Sequence, residues 1–166
     1  MRANTHTDRT SENPGALVIG VLSDTHGHLD DAARQILSQT DLILHAGDID
    51  RPVILDTLKS MKPVVPVRGN MDGGPWARQL AEEEFVEVGP ILIYLIHDRT
   101  KMSLVPEKAD IRVVVSGHTH RPEMENKKGV LYLNPGSASF PRGGHPASLA
   151  LLEISGNSIA CRHIAL

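Results

Sequence analysis

Five short runs rich in Val, Ile and Leu each stop at an Asp, His or Asn, and the spacing between the first three fixes how the chain can fold. "ALVIGVL" (16–22), "DLILHAGD" (41–48) and "PVVPVRGN" (63–70) read as buried strands by length and β-branched content. Between them, "LDDAARQILS" (29–38) places Leu29, Ala32, Ala33, Ile36 and Leu37 at helical spacing. A second helix is expected after Asp50 as its cap, with Pro52 in the first turn and Ile54, Leu58 and Met61 on one face. Strand, helix, strand, helix, strand implies right-handed crossovers and a parallel sheet. Pro66 marks the third strand as bulged or at an edge. With aromatics at only 3%, the core must be built from aliphatic side chains.

The second half has strands with little helix between them. "EEFVEV", "ILIYLIH" and "IRVVVSGH" read as strands, "PEMENKKGVLYLN" as a hairpin turning near Lys128-Gly129, and "ASLALLEI" with "SIACRHIAL" as a final antiparallel pair around "SGN". That is too many strands for one doubly wound sheet. The fold class is α/β (α+β), with two packed mixed β-sheets flanked by helices. Residues 1–15 read as a loosely held polar tail with a solvated His6, and residues 16–166 as a single domain.

Charge and composition exclude several functions. Seventeen Lys and Arg against 20 Asp and Glu give a net charge of -3, no footprint for gripping a nucleic-acid backbone, so no stable nucleic-acid complex is expected. One cysteine, Cys161, cannot form an internal disulfide and fits a reducing compartment. No apolar run has the length of a membrane span, and the N-terminal stretch lacks the apolar core of a signal peptide. A cytoplasmic protein without membrane contact is expected, and a homo-oligomer is left open.

The candidate ligands fall at the strand ends. Asp24 and His26 ("SDTHG") follow the first strand, Asp48 the second and Asn70 the third. His97 closes the run at 91–96, and His118 and His120 ("GHTH") follow the run at 111–115. In open α/β sheets, ligands bind outside the carboxyl ends of strands. Each element alone has an ordinary reading as a turn or a satisfied histidine, but their convergence points to metal. Imidazoles, two carboxylates and an amide oxygen exceed one tetrahedral site. They suit two divalent ions about 3.5–4 Å apart, with Asp48 as the central, bridging choice. The N/O set without thiolate favours Mn, Fe, Zn, Co or Ni over Ca without choosing among them. Manganese ranks first as the expected cofactor, with Mg a further option. Such a site attracts phosphate and makes hydroxide available near neutrality.

The order "SDTHG" (23–27), "HAGDI" (45–49), "VRGNMD" (67–72), "GHTHRP" (117–122) and "NPGSASFPRGG" (134–144) resembles the calcineurin-like metallophosphoesterase superfamily, in particular its YfcE-type phosphodiesterase branch. The resemblance spans about residues 16–155. It implies the metallophosphoesterase sandwich, with one metal on Asp24, His26 and His120, a second on Asn70, His97 and His118, and Asp48 bridging. It further implies in-line attack of metal-bound hydroxide on phosphorus in small or nucleotide-like phosphate esters, with Asp48, Asn70 and His97 as catalytic residues. Asn70 would also orient substrate through its NH2. Gly136 and Ser137 would line the pocket, and Arg142 could pair with a phosphate.

The chain departs from the family pattern at three places. Met71 stands where many members carry a proton-donating His, which favours substrates with good leaving groups. Asp98 follows His97 where the branch has Gly, and Pro106 interrupts the segment before "GHTH", where an expected helix would be clipped. Two other functions fit the resemblance: a scaffold like the superfamily's retromer subunit, and a nuclease for short single strands. Of the remaining histidines, His45 reads as a core residue or a support for the ligands, His28 as a solvated helix start, and His145 and His163 as surface residues.

Overall fold

A computed structural model describes residues 15–166; the expected tail, Gly15 apart, and His6 lie outside the described residues. The three β-branched runs become β1 (Leu17–Leu22), β2 (Leu42–His45) and β3 (Val64–Pro66), joined through α1 (Asp31–Leu37) and α2 (Pro52–Met61). β1 pairs parallel with β2, and β2 with β3, as the crossovers require. The second half supplies β4 (Glu83–Val88), β5 (Ile91–Ile96), β6 (Ile111–Val115), the hairpin β7 (Pro122–Lys127) and β8 (Val130–Pro135), then β9 (Ser148–Ser155) and β10 (Ser158–Ala165). These strands form two mixed five-stranded sheets, ordered β10-β9-β1-β2-β3 and β4-β5-β6-β8-β7. β3 is an edge strand, so Pro66 removes no ladder donor that a neighbour needs.

Period-two alternation divides each strand between two cores. Ile19, Val21, Leu44, Ala150 and Leu152 face Ile91, Ile93, Leu95, Val113 and Val115 between the sheets. Val18, Leu22, Ile43, Leu149 and Leu151 form the outer core of the first sheet with Ala33 and Leu37 of α1 and Ile54, Leu55 and Leu58 of α2. The flanking helices therefore cover one sheet only. Over the outer face of the second, Met102 and Leu104 pack on Tyr94, Ile96 and Val114, from a segment that winds into single 3-10 turns at Arg99–Lys101 and Pro106–Lys108. The clipped helix expected from Pro106 is thus two separate turns.

The two helix starts differ. Asp30 caps α1, its carboxylate accepting from the Ala33 N–H at 2.7 Å. The expected cap of α2 is corrected: Arg51 occupies that position without a side-chain bond, and Pro52 at the first helical position needs no donor partner. Asp50 is freed for another task.

Candidate metal centre

Five of the seven candidate ligands sit in a left-handed backbone conformation that residues other than glycine rarely adopt. Asp24, His26, Asp48, His118 and His120 have φ of 53°, 45°, 54°, 71° and 60°. Left-handed residues of this kind cost free energy and persist only where surroundings over-determine them. Here the chain leaves each strand and reverses at once, so side chains at strand ends turn in toward the junction of the sheets. Two motif glycines permit the crowding that results. A Cβ on Gly69 would lie 2.1 Å from Asp48 Oδ1, and one on Gly117 would lie 1.9 Å from Ser23 Oγ and 2.8 Å from Asp24 Oδ2.

Asp24, His26, Asp48 and His120 each offer one ligand atom, all within 4.8 Å of one another. His120 Nδ1 faces the Phe140 carbonyl at 2.5 Å and His26 Nδ1 faces Asp50 Oδ2 at 3.0 Å, so each Nδ1 carries the proton it donates. In the neutral rings both Nε2 atoms are then lone-pair acceptors, yet they approach to 3.2 Å. Asp24 Oδ1 lies 3.3 Å from His120 Nε2 and is buried without a hydrogen-bond partner. Acceptors facing one another around an orphaned buried carboxylate oxygen call for a cation.

The other three expected ligands adjoin this group through Asp48. His97 Nδ1 donates to the Ala46 carbonyl at 2.7 Å, which turns Nε2 toward Asp48 Oδ2 at 3.3 Å and Asn70 Oδ1 at 3.0 Å. His118 Nδ1 also lies 3.0 Å from Asn70 Oδ1. All seven side chains thus form one contiguous set, with Asp48 between the two halves. Their chemistry fits divalent cations: hard carboxylate and amide oxygens with imidazole nitrogens, oriented by a surrounding shell of partners.

The charges in the set respond to burial and to each other. Burial raises the Asp24 carboxyl above its ordinary range and outweighs the pull of His97 and His120. Burial also opposes charge on Asp48, but the His97 hydrogen bond and the Met71 amide overcome it and hold that carboxyl low. His97, which burial alone would lower, is lifted by Asp48.

A second layer of polar residues ties the motif loops together, and the sequence reading missed most of it. Asp72 accepts from the N–H groups of Ile49, Asp50 and Gly69 at 2.7, 2.8 and 2.8 Å, joining the Asp48 loop to the Asn70 loop. Its presence in "VRGNMD" was the available signal. Asp50, taken as a helix cap, orients His26 instead. The Asn134 amide donates to the Gly117 carbonyl and to Thr119 Oγ1, fixing the "GHTH" loop. His45 is fully buried, accepting from the Gly47 N–H at 3.2 Å and reaching Thr25 Oγ1 through Nε2 at 3.0 Å. Burial, helped by His97, pushes its pKa down to about 3.

The expected substrate contacts have clear placements. Ser137 is buried, gives its hydroxyl proton to the Asp24 carbonyl at 2.7 Å and accepts from Phe140 N–H, so it secures the Asp24 loop. Gly136, at φ 79°, packs where a Cβ would meet Ser148 Oγ at 2.3 Å. Arg142 is exposed, and its N–H reaches the His120 carbonyl at 3.3 Å. Met71 is 60% exposed and its N–H donates to Asp48 Oδ1. His28 and His145 are exposed as expected. His163 corrects the expectation of a surface residue: half-buried, it bonds the Asn134 carbonyl at the end of β8, 2.8 Å away. Asp98 Oδ2 lies 3.8 Å from His118 Nε2.

Comparison with known proteins agrees with this fold. The calcineurin-like phosphoesterase superfamily domain matches residues 17–157. A probable metallophosphoesterase of Methanocaldococcus jannaschii is 39% identical over 141 residues, covering 77% of this chain and 71% of that protein. The phosphodiesterase YfcE of Escherichia coli is 32% identical over 103 residues, 54% of this chain and 52% of its own. Its solved structure superposes with a TM-score of 0.68 and 25% identity over 90% of this chain and 99% of that one. Vacuolar Protein Sorting 29 from Cryptosporidium parvum shares the fold, with a TM-score of 0.74 and 21% identity over 92% and 100% of the two chains. On profile, sequence and fold together, the chain belongs to the calcineurin-like phosphoesterase superfamily.

Proposed function

We propose that the protein is a divalent-metal-dependent phosphodiesterase acting on small or nucleotide-like phosphate esters at a two-metal centre. The observation that carries this reading is the convergence of Asp24, His26, Asp48 and His120, from three strand ends, around the orphaned Asp24 Oδ1, with His97, Asn70 and His118 adjoining them at Asp48. Asp24, His26 and His120 would hold one ion, Asn70, His97 and His118 the other, and Asp48 both. Bound there, divalent ions neutralise phosphate charge and lower the pKa of water.

The chain's own groups then position the reaction. Asn70 turns its amide oxygen to His97 and His118, leaving its NH2 to donate to a phosphoryl oxygen. A water oxygen bonds to phosphorus as its proton passes to solvent, the bond to the ester oxygen breaks with its electron pair going to that oxygen, and the alcohol leaves. Met71 supplies no proton to that alcohol. Asp98 supplies none either: burial would raise its carboxyl, but Thr100 and His118 hold it low, so it stays a carboxylate. The leaving-group proton comes from solvent, which favours esters of acidic alcohols.

The scaffold alternative rests on fold likeness alone, whereas the cluster of Asp24, His26, Asp48 and His120 supports the catalytic reading. A short single strand falls within the diester class as a substrate. The test is turnover of bis(p-nitrophenyl) phosphate by chelator-stripped protein reconstituted with Mn, Fe, Zn, Co, Ni or Mg, alongside metal binding by equilibrium dialysis. Asp48→Ala is expected to lose bound metal and at least ~100-fold in rate. No turnover with any metal, together with wild-type metal binding by Asp48→Ala, refutes the reading.

A further inference from the structure

Phe140 is a large apolar side chain left 53% exposed beside the ligand cluster. One exposed apolar side chain is ordinary by itself; what sets Phe140 apart is that its backbone is bonded to the candidate ligand His120 and its ring lies against that of His26. Its position is fixed from several directions. The Phe140 N–H donates to Ser137 Oγ at 2.7 Å, and its carbonyl accepts from His120 Nδ1. The preceding Ser139 hydroxyl donates to the His28 carbonyl at 2.9 Å, tying this loop to the segment after β1. The ring stands nearly perpendicular to that of His26, at 80°, with centroids 5.6 Å apart. A ring held this way is pre-organised, so covering its open side costs little conformational entropy.

The neighbouring apolar group differs in kind. Met71, joined to Asp48 at the Asn70 end of the cluster, is a flexible thioether that adapts to many shapes. Phe140, at the His26 and His120 end, is a rigid aromatic ring left half exposed. Both side chains are more than half exposed, one at each end of the candidate cluster.

We propose that Phe140 is a specificity-determining residue that stacks a flat aromatic ester substituent, so that the preferred substrates are phosphodiesters bearing an aryl group or a nucleobase on one arm. This rests on the phosphodiesterase reading for catalysis, but its test is a binding measurement that needs no turnover. Calorimetry on the manganese-loaded full chain compares phenyl phosphate, ethyl phosphate and inorganic phosphate.

Wild-type protein is expected to bind phenyl phosphate roughly tenfold tighter than ethyl phosphate, the scale of one stacked ring. Phe140→Ala should remove that preference while leaving inorganic phosphate unchanged. Phe140→Tyr should retain the preference, and Phe140→Leu, which keeps apolar bulk without a π-face, should lose most of it. Equal affinity of the wild type for the two esters overturns the proposal, as does a preference that survives in Phe140→Ala or a matching loss of inorganic phosphate. Absence of turnover with the phenyl preference intact instead removes the catalytic reading and leaves the stacking site standing.

Discussion

Asp72 touches no expected ligand, yet its removal should disable the centre. Its carboxylate takes three backbone N–H groups, from Ile49 and Asp50 on one oxygen and Gly69 on the other. Ile49 and Gly69 are buried, so water does not readily replace what Asp72→Ala removes. At about 1 kcal/mol for each bond, the typical net contribution of a hydrogen bond, the loss is about 3 kcal/mol. For a chain of this size that lowers Tm by about 6–12 °C. The joined loops carry Asp48 and Asn70, so metal affinity should also fall about 10–100-fold. Asp72→Asn is the finer probe. Its single carbonyl oxygen can keep the Ile49 and Asp50 pair, but its NH2 then opposes the Gly69 N–H, and a loss of about 1–2 kcal/mol is expected. Thermal unfolding followed by circular dichroism, with and without chelator, gives the stability, and equilibrium dialysis gives the metal. A Tm for Asp72→Ala within about 1 °C of wild type, with unchanged metal binding, would refute the account of the second layer.

Two further outcomes follow from the same geometry. Gly69→Ala puts a Cβ 2.1 Å from Asp48 Oδ1 and 2.2 Å from its backbone N, so it should displace Asp48 and abolish metal binding, whereas Gly73→Ala meets nothing within 4 Å and serves as the control. Dialysis of both variants checks this. His45 stays neutral in the fold down to about pH 3, while the unfolded ring takes a proton below about 6.5. The unfolded state binds the extra proton, so His45 contributes stability at pH 7 that is lost as pH falls through that window, by up to ~1.4 kcal/mol per unit. Denaturant titrations from pH 7 to pH 5 in chelator should show that slope in wild type and less of it in His45→Gln.

The strands and the candidate ligands were legible in the sequence because both are local. A β-branched run predicts its own strand, and a polar residue at its end has few structural uses that recur five times. What stayed hidden depends on contacts distant in the chain. Asp50 before Pro52 looks like a helix cap, and only the fold brings His26, 24 residues away, to within 3.0 Å of it. Gly69 and Gly117 owe nothing to a left-handed backbone, for neither has a positive φ. They are required because Asp48 and Ser23, from other strand ends, occupy the space a Cβ would fill. Ser137 was expected to line the pocket, yet its hydroxyl is given to the Asp24 carbonyl across 113 residues of sequence. The limited cover on the second sheet was partly legible, since Pro106 and a short segment cannot make a full helix.

The apolar interface between the sheets has its polar ties gathered near one end. His97 bonds the Ala46 carbonyl, the His118 N–H bonds Asp24, the Ala138 N–H bonds the Ser23 carbonyl, and Ser137 bonds the Asp24 carbonyl. Each joins a residue at the exit of the first sheet to one at the exit of the second. The β4–β5 hairpin turn, at the entry of β5, lies at the opposite end of the sandwich. The two sheets therefore resemble the covers of a book whose spine is the ligand cluster. Apolar faces can slide or part at the fore-edge with little directional penalty, while any parting at the spine breaks oriented bonds. Ions held there would rivet that spine, making cofactor loading and resistance to opening two readings of one clasp.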